Sequence, residues 1–406
     1  MFKNYFFTLA LLSFISCTSN QSALSGPTYP FSLKDDNESQ SYTVANLPIQ
    51  KELPALLALK YGQTVKMPEQ WYSIRESIKL SILEYEYGDT PNNTRSKSSE
   101  NLKVQNAVPS HEPTSSALTR DRHSQLIKYT LSFGDDDKLS TTLHVYIPKT
   151  KEMKRPFILR FGLGSEHALA AIQRGYVFAC FEQTSLDPDT EGHDIIGPAQ
   201  EMYPDATWGS LSVWAWGASR IMDFLETREY LDTNRSVITG HSRTGKAALL
   251  AGALDERFAI VVPNGSGAGG AATFRGAGKG NETLDLITRE SRFKSWFHKD
   301  FGQFAYQADR LPFDQHYMRA LVAPRVILST DAYGDKWAHP DGVQKAWEGA
   351  QPVFDLLGVP ENNLIHFRGG GHDQLATDFE VLLDVADAHF NGKPFPESLR
   401  TAPFPK

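Results

Sequence analysis

The chain has 406 residues, of which 40% are hydrophobic and 22% charged, with a formal net charge of −7. That length can bury one large core or two ordinary ones. Without a basic excess to neutralise phosphates the composition excludes a generic nucleic-acid binder, and two cysteines exclude a disulfide scaffold.

Lys3, the apolar run Tyr5 to Ile15 and the pair Ser16-Cys17 come first in the chain. The run is too short to cross a bilayer and suits the core of an export signal. A cysteine directly after a small residue predicts a lipoprotein-type signal peptide over 1–17, with Cys17 lipidated and the protein held in the Gram-negative outer membrane or periplasm. Phe14 stands where such signals usually carry Leu, and plain secretion is the alternative. Membrane contact is expected only through that anchor.

Residues 18–60 read as a tether and lead-in, and 61–400 as one domain. Trp71 to Tyr87 is a predicted amphipathic helix with Ile74, Ile78 and Ile82 on one face, closed by Gly88 and Pro91. Residues 92–116, rich in Ser, Asn and Thr, read as a long polar surface loop. Alternation through Ser124 to Phe133 and Thr141 to Ile147 predicts a hairpin. Short apolar runs then recur at Phe157 to Leu159, Val177 to Phe181, Ser236 to Thr239, Ala259 to Val262, Val326 to Leu328 and Asn363 to Phe367, with a helix over Trp208 to Leu225. Cys180, inside one of these runs, reads as a buried structural thiol. The pattern predicts an α/β class with a mostly parallel central sheet flanked by helices.

One junction carries chemistry. In Val237-Ile238-Thr239-Gly240-His241-Ser242-Arg243-Thr244-Gly245-Lys246 a β-branched run stops at a glycine, and a helix-prone stretch begins just after Ser242. Such a turn lifts a serine hydroxyl out of the sheet and sets a helix N-terminus behind it. The second glycine comes one place later than in G-x-S-x-G. A serine needs a base, and the base needs an orienting acid. The α/β-hydrolase layout supplies them in the order Ser, acid, His, each on a loop after a strand. Asp331 and Asp335 follow Val326 to Leu328, and His372 sits in Gly369-Gly370-Gly371-His372-Asp373. Ser242 is the expected nucleophile and His372 the base, with Asp331 or Asp335 as the acid.

From about Trp71 to His389 the chain resembles the glucuronoyl esterases, carbohydrate esterase family 15, in their bacterial branch. The marks are Tyr87-Gly88, Arg174-Gly175-Tyr176, Trp214-Ala215-Trp216-Gly217, Gly240 to Lys246, Ser266 to Ala271, Asn281-Glu282-Thr283, Leu311 to His316, Asp335-Lys336-Trp337 and Gly370 to Asp373. The resemblance implies an α/β-hydrolase fold and a glucuronate-containing polysaccharide as substrate. It implies that Arg243 serves the oxyanion through its backbone N–H and guanidinium. It also implies that Lys246, Glu282 and Trp337 bind the sugar. Read without it, Lys246 is a solvated helix lysine, Glu282 a loop carboxylate and Trp337 a core aromatic.

The chain departs from the family at two places. Many members carry a catalytic Glu directly before the Ser266-Gly267 pair, where this chain has Gly265, so the acid must come from the loop after Leu328: Asp335, two before Trp337, comes first, Asp331 second and Asp341 third. Many also have a cysteine where His241 stands; His241 is expected to pack beside the elbow without a direct catalytic role. Gly265 to Gly270 matches G-x-G-x-x-G formally, but a poor helix opening follows it. No zinc-ligand spacing appears among the histidines, and neither metal nor cofactor is expected. The expected reaction is hydrolysis of a (4-O-methyl-)glucuronoyl ester on xylan with a lignin-type alcohol. A carbohydrate acetyl esterase using the same triad is the enzymatic alternative. A decayed carbohydrate-binding lipoprotein is the non-enzymatic one.

Overall fold

A computed structural model describes residues 43–59, 63–91, 103–109, 124–133, 139–151, 153–189, 196–289 and 294–405. The signal peptide over 1–17, its Cys17 and the tether up to residue 42 lie outside the described residues.

A nine-stranded sheet runs through the described residues in the order β1-β2-β3-β5-β4-β6-β7-β8-β9. Its antiparallel edge is β1 (Lys103–Pro109), β2 (Ser124–Phe133) and β3 (Leu139–Pro148). β3 also runs antiparallel to β5 (Val177–Phe181). β5 pairs in parallel with β4 (Arg155–Phe161), and β6 (Leu231–His241), β7 (Ile260–Asn264), β8 (Val326–Ala332) and β9 (Asn363–Arg368) continue in parallel from β4. The parallel strands are apolar on both faces because helices cover both sides. The outer helices are α1 (Pro68–Ile82), α2 (Ala168–Gln173), α3 (Ser210–Leu225), α4 (Arg243–Leu254), α5 (Gln315–Val322), α6 (Pro340–Leu356) and α7 (Ala376–Phe390). Residues of α1, α3, α4, α5 and α6 share one core with Leu159, Ile238 and Val261. Those of α2 and α7 share the other with Ile158, Val237 and Val262. Among the described residues no helix is long and apolar enough to cross a membrane.

The predicted amphipathic helix buries Trp71, Ile74, Ile78 and Ile82 in α1, then widens into a π-helical turn over Leu83–Tyr87. Gly88, at φ 81°, ends it. Three expectations are corrected. The polar loop over 92–116 contains a strand, Lys103–Pro109, paired with Ile127 to Ser132 of β2; edge pairing uses backbone groups, so it needs no apolar alternation. Part of the 18–60 lead-in belongs to the domain, since Leu47, Leu56 and Leu59 are buried in the main core. The His316 ring bonds Pro54 O at 2.8 Å, and Gln50 N–H donates to Asp309 O at 2.7 Å. The domain also runs past residue 400: Phe404 packs on Tyr333 and Phe367, and its N–H donates to Gln344 Oε1 at 2.7 Å.

Candidate active site

At the carboxyl end of β6 the chain turns sharply into α4. Ser242 has φ 56° and ψ −125°, a backbone region costing about 1–3 kcal/mol for a non-glycine residue. Its N–H donates to Asn264 O at the end of β7, 2.9 Å away, which fixes the elbow to the next strand. The displaced glycine has a steric cause. A Cβ on Gly245 would lie 2.9 Å from Asn264 O and 3.0 Å from Ser266 Cβ. The helix crosses the end of β7 at that residue, one place later than a G-x-S-x-G elbow would put its glycine.

His372 comes from the loop after β9. Arg368 closes this loop by donating from Nε to both carboxylate oxygens of Asp378, at 2.9 and 2.8 Å, and from Nη1 to Gly369 O at 2.9 Å. Gly334 N–H donates to Gly370 O at 3.0 Å, tying the histidine loop to the loop after β8 that carries Asp335. The structure brings the three together: His372 Nε2 lies 2.8 Å from Ser242 Oγ and His372 Nδ1 2.6 Å from Asp335 Oδ2. Asp335 is buried, and its other oxygen accepts from Ala338 N–H at 3.2 Å. A carboxylate only accepts at neutral pH, so Nδ1 carries the proton and Nε2 is left to accept from the serine hydroxyl.

The other two acids are placed elsewhere. Asp331 lies within β8, buried, and neither carboxyl oxygen has a hydrogen-bond partner among the described residues. Burial first, then the nearby Asp335 charge, push its carboxyl up to about 8, so it is a neutral acid at pH 7. Asp341 is exposed in the first turn of α6.

His241, before the nucleophile, is held by a fixed relay. Asn264 Nδ2 donates to Thr330 O at 3.0 Å and Thr330 Oγ1 at 2.8 Å, so Asn264 Oδ1 faces His241 Nδ1 at 2.6 Å. His241 Nδ1 is therefore the protonated nitrogen. Its ring lies 4.9 Å from the His372 ring, and burial lowers its pKa. Neutral, it leaves room for a positive charge on His372. Gly265, at φ 50°, closes this space: a Cβ there would lie 3.4 Å from His241 Cε1 and 3.7 Å from His372 Cε1.

Lys246 is buried, and its ammonium donates to Ser266 O (2.7 Å), Ala268 O (2.6 Å) and Glu282 Oε2 (2.6 Å). Three acceptors use all three of its protons. Burial lowers the Lys246 ammonium and raises the Glu282 carboxyl, while the attraction between them opposes both shifts. Lys246 is thus neither solvated nor exposed to ligand in this state. Glu282 N–H donates to the backbone Trp337 O at 2.8 Å, and Trp337 is 46% exposed. Arg243, first in α4, pairs through Nη1 with Asp189 Oδ2 at 2.8 Å and lies over Trp296, with Cζ 5.3 Å from the ring centroid. Asp189, Trp296, Asn264 and Thr330 were not read from the sequence, because isolated loop and strand-end residues carry no periodicity. Among the described residues no group of three or more His, Cys, Asp or Glu could hold a metal.

A parallel α/β sheet with a serine on a strand–helix elbow, a histidine and an aspartate at the carboxyl ends of β6, β9 and β8 defines an α/β-hydrolase of the serine type. The model of the family described as "Glucuronyl esterase, fungi" matches residues 133–358. The carbohydrate esterase MZ0003, from an unknown prokaryotic organism, is 30% identical over 87% of this chain and 92% of its own. A 4-O-methyl-glucuronoyl methylesterase 1 of Phanerochaete chrysosporium is 36% identical, over 46% of this chain and 40% of its own length. Among solved structures, a glucuronoyl esterase from Solibacter usitatus superimposes with TM-score 0.72 at 29% identity, covering 85% of this chain and 100% of that one. A carbohydrate esterase family 15 glucuronoyl esterase from Caldicellulosiruptor kristjansonii gives 0.73 at 28%, covering 90% and 97%. The chain belongs to the glucuronoyl esterase family, carbohydrate esterase family 15, and is a carboxylic ester hydrolase.

Proposed function

We propose that the chain hydrolyses the ester between the carboxyl group of a (4-O-methyl-)glucuronic acid residue on xylan and a lignin-type alcohol, through an acyl-enzyme on Ser242. The observation that carries this reading is the unbroken line Ser242 Oγ, His372, Asp335, with both contacts at hydrogen-bond length. His372 Nε2 takes the serine proton as Oγ attacks the ester carbonyl. Asp335 stabilises the imidazolium that forms. The tetrahedral oxygen develops beside Arg243, at the N-terminal, positive end of the α4 dipole. His372 returns the proton to the leaving alcohol, then activates the water that releases the uronic acid.

The acyl side of the substrate meets Glu282 and Trp337. A buried carboxylate accepts from ring hydroxyls, and a half-exposed indole supplies an apolar face. Lys246 enters this reading as the group that holds Glu282 and the Ser266–Ala268 backbone together, reaching sugar only by exchanging one of its three protein acceptors. Export with a lipid anchor on Cys17 rests on the sequence Ser16-Cys17 and the apolar run before it.

The test is hydrolysis of benzyl glucuronate and of an aryl acetate by the wild type and by Ser242→Ala. Loss of both activities in the variant supports one serine for both esters. Hydrolysis of benzyl glucuronate that survives the substitution rules out Ser242 as the nucleophile.

A further inference from the structure

The chemistry above creates a difficulty that the site itself must solve: a neutral ester enters, and a carboxylate is formed beside Arg243. An arginine at that place is a ready receptor for the product. The site holds two cations near one indole, since Arg243 Cζ lies 5.3 Å and Lys246 Nζ 5.9 Å from the Trp296 ring centroid. Each is engaged by a carboxylate of the chain: Lys246 by Glu282 at 2.6 Å and Arg243 by Asp189 at 2.8 Å. With Asp335 beside His372, two cations stand against three carboxylates, so the resting site carries no positive excess. Of the two cations, Lys246 is sealed at 2% side-chain exposure, whereas Arg243 is 37% exposed. Arg243 is therefore the cation within reach of a product carboxylate, and Asp189 is the group already on it. Asp189 itself is held by a second donor, Trp296 Nε1, at 3.3 Å from Oδ1.

We propose that Asp189 is a charge-balancing residue, paired with Arg243, that makes the site favour the neutral uronoyl ester over the anionic uronate product. It touches neither reacting atom in this role and acts through Arg243. The inference rests on the uronoyl-ester reading of the site.

The test uses turnover of an aryl acetate, which does not depend on that reading, inhibited by two probes of the same ring: glucuronate, which is anionic, and glucuronamide, which is neutral. Asp189→Asn keeps the size and the hydrogen-bond acceptor but removes the charge. The expected result is an inhibition constant for glucuronate about fivefold or more lower in Asp189→Asn. That for glucuronamide should stay within about twofold, and the difference should shrink as salt screens it. Asp189→Glu, which keeps the charge, should keep the wild-type preference. Equal changes for both probes, or none, overturn the proposal and leave Asp189 a packing residue. If neither probe inhibits the wild type, the uronate reading fails and this inference falls with it.

Discussion

At the scale of single residues, the site separates two aspartates four positions apart by what surrounds them. Asp335 meets a ring nitrogen and a backbone N–H. Asp331 meets neither donor nor water-exposed surface and keeps its proton at pH 7. Asp335→Ala should therefore lower kcat on benzyl glucuronate by about 10⁴-fold, the scale for losing the orienting acid of a triad. Asp331→Asn should keep activity within about tenfold of wild type, because it replaces one neutral side chain by another. Steady-state rates of the two variants decide it; the reverse order would move the acid to Asp331. The order Ser242, acid, His372 was legible in the sequence because each residue follows an apolar run. Which aspartate turns toward the imidazole was not, since that depends on where β8 ends. The sequence also offered two readings of Lys246, solvated or sugar-binding. The structure shows a third state, an internal cation with every proton used.

The elements explain why the elbow is drawn as it is. β6 and β7 end in register at His241 and Asn264, level with Thr330 near the end of β8, and the hydrogen bonds through Asn264 lock the three strands together there. The alternation of apolar runs made most of the parallel strands readable. It missed the first half of β6, where Asp232, Thr233 and Arg235 are only partly covered and Asn234 is exposed. It also missed β1, which sits at an edge inside a polar stretch. Where α4 crosses β7, the absence of a side chain at Gly245 sets the spacing. Gly245→Ala should destabilise the fold by about 1–3 kcal/mol, the usual cost of overpacking. It should also cut kcat at least tenfold by shifting the helix end that backs Ser242. Denaturant unfolding and steady-state kinetics on the same variant check both. An unchanged kcat would mean that the late glycine has no part in placing the nucleophile.

For the whole molecule, buried carboxyls link stability to pH. Burial pushes both Glu86 and Asp331 up to about 8, against about 4 in an unfolded chain. Between those values the unfolded chain has released a proton that the folded chain still holds. The contribution of each group is thus fully present below pH of about 4 and is lost as pH rises toward about 8, at about 1.4 kcal/mol per pH unit. Asp331→Asn and Glu86→Gln should each gain melting temperature relative to wild type as pH goes from 5 to 8. A gap that stays constant across that range contradicts the assignment. The limits of the domain were less legible than its centre. Leu47, Leu56 and Leu59 at one end and Phe404 at the other are single apolar anchors in irregular chain, and only the folded core shows where each of them goes.

The central claim is that this serine site is built for an acyl group that is a uronic acid. Its most direct test is kcat/KM for benzyl glucuronate compared with that for acetylated xylan, measured on the same preparation. The account predicts faster turnover of benzyl glucuronate. Equal rates, or a preference for acetylated xylan, would contradict it.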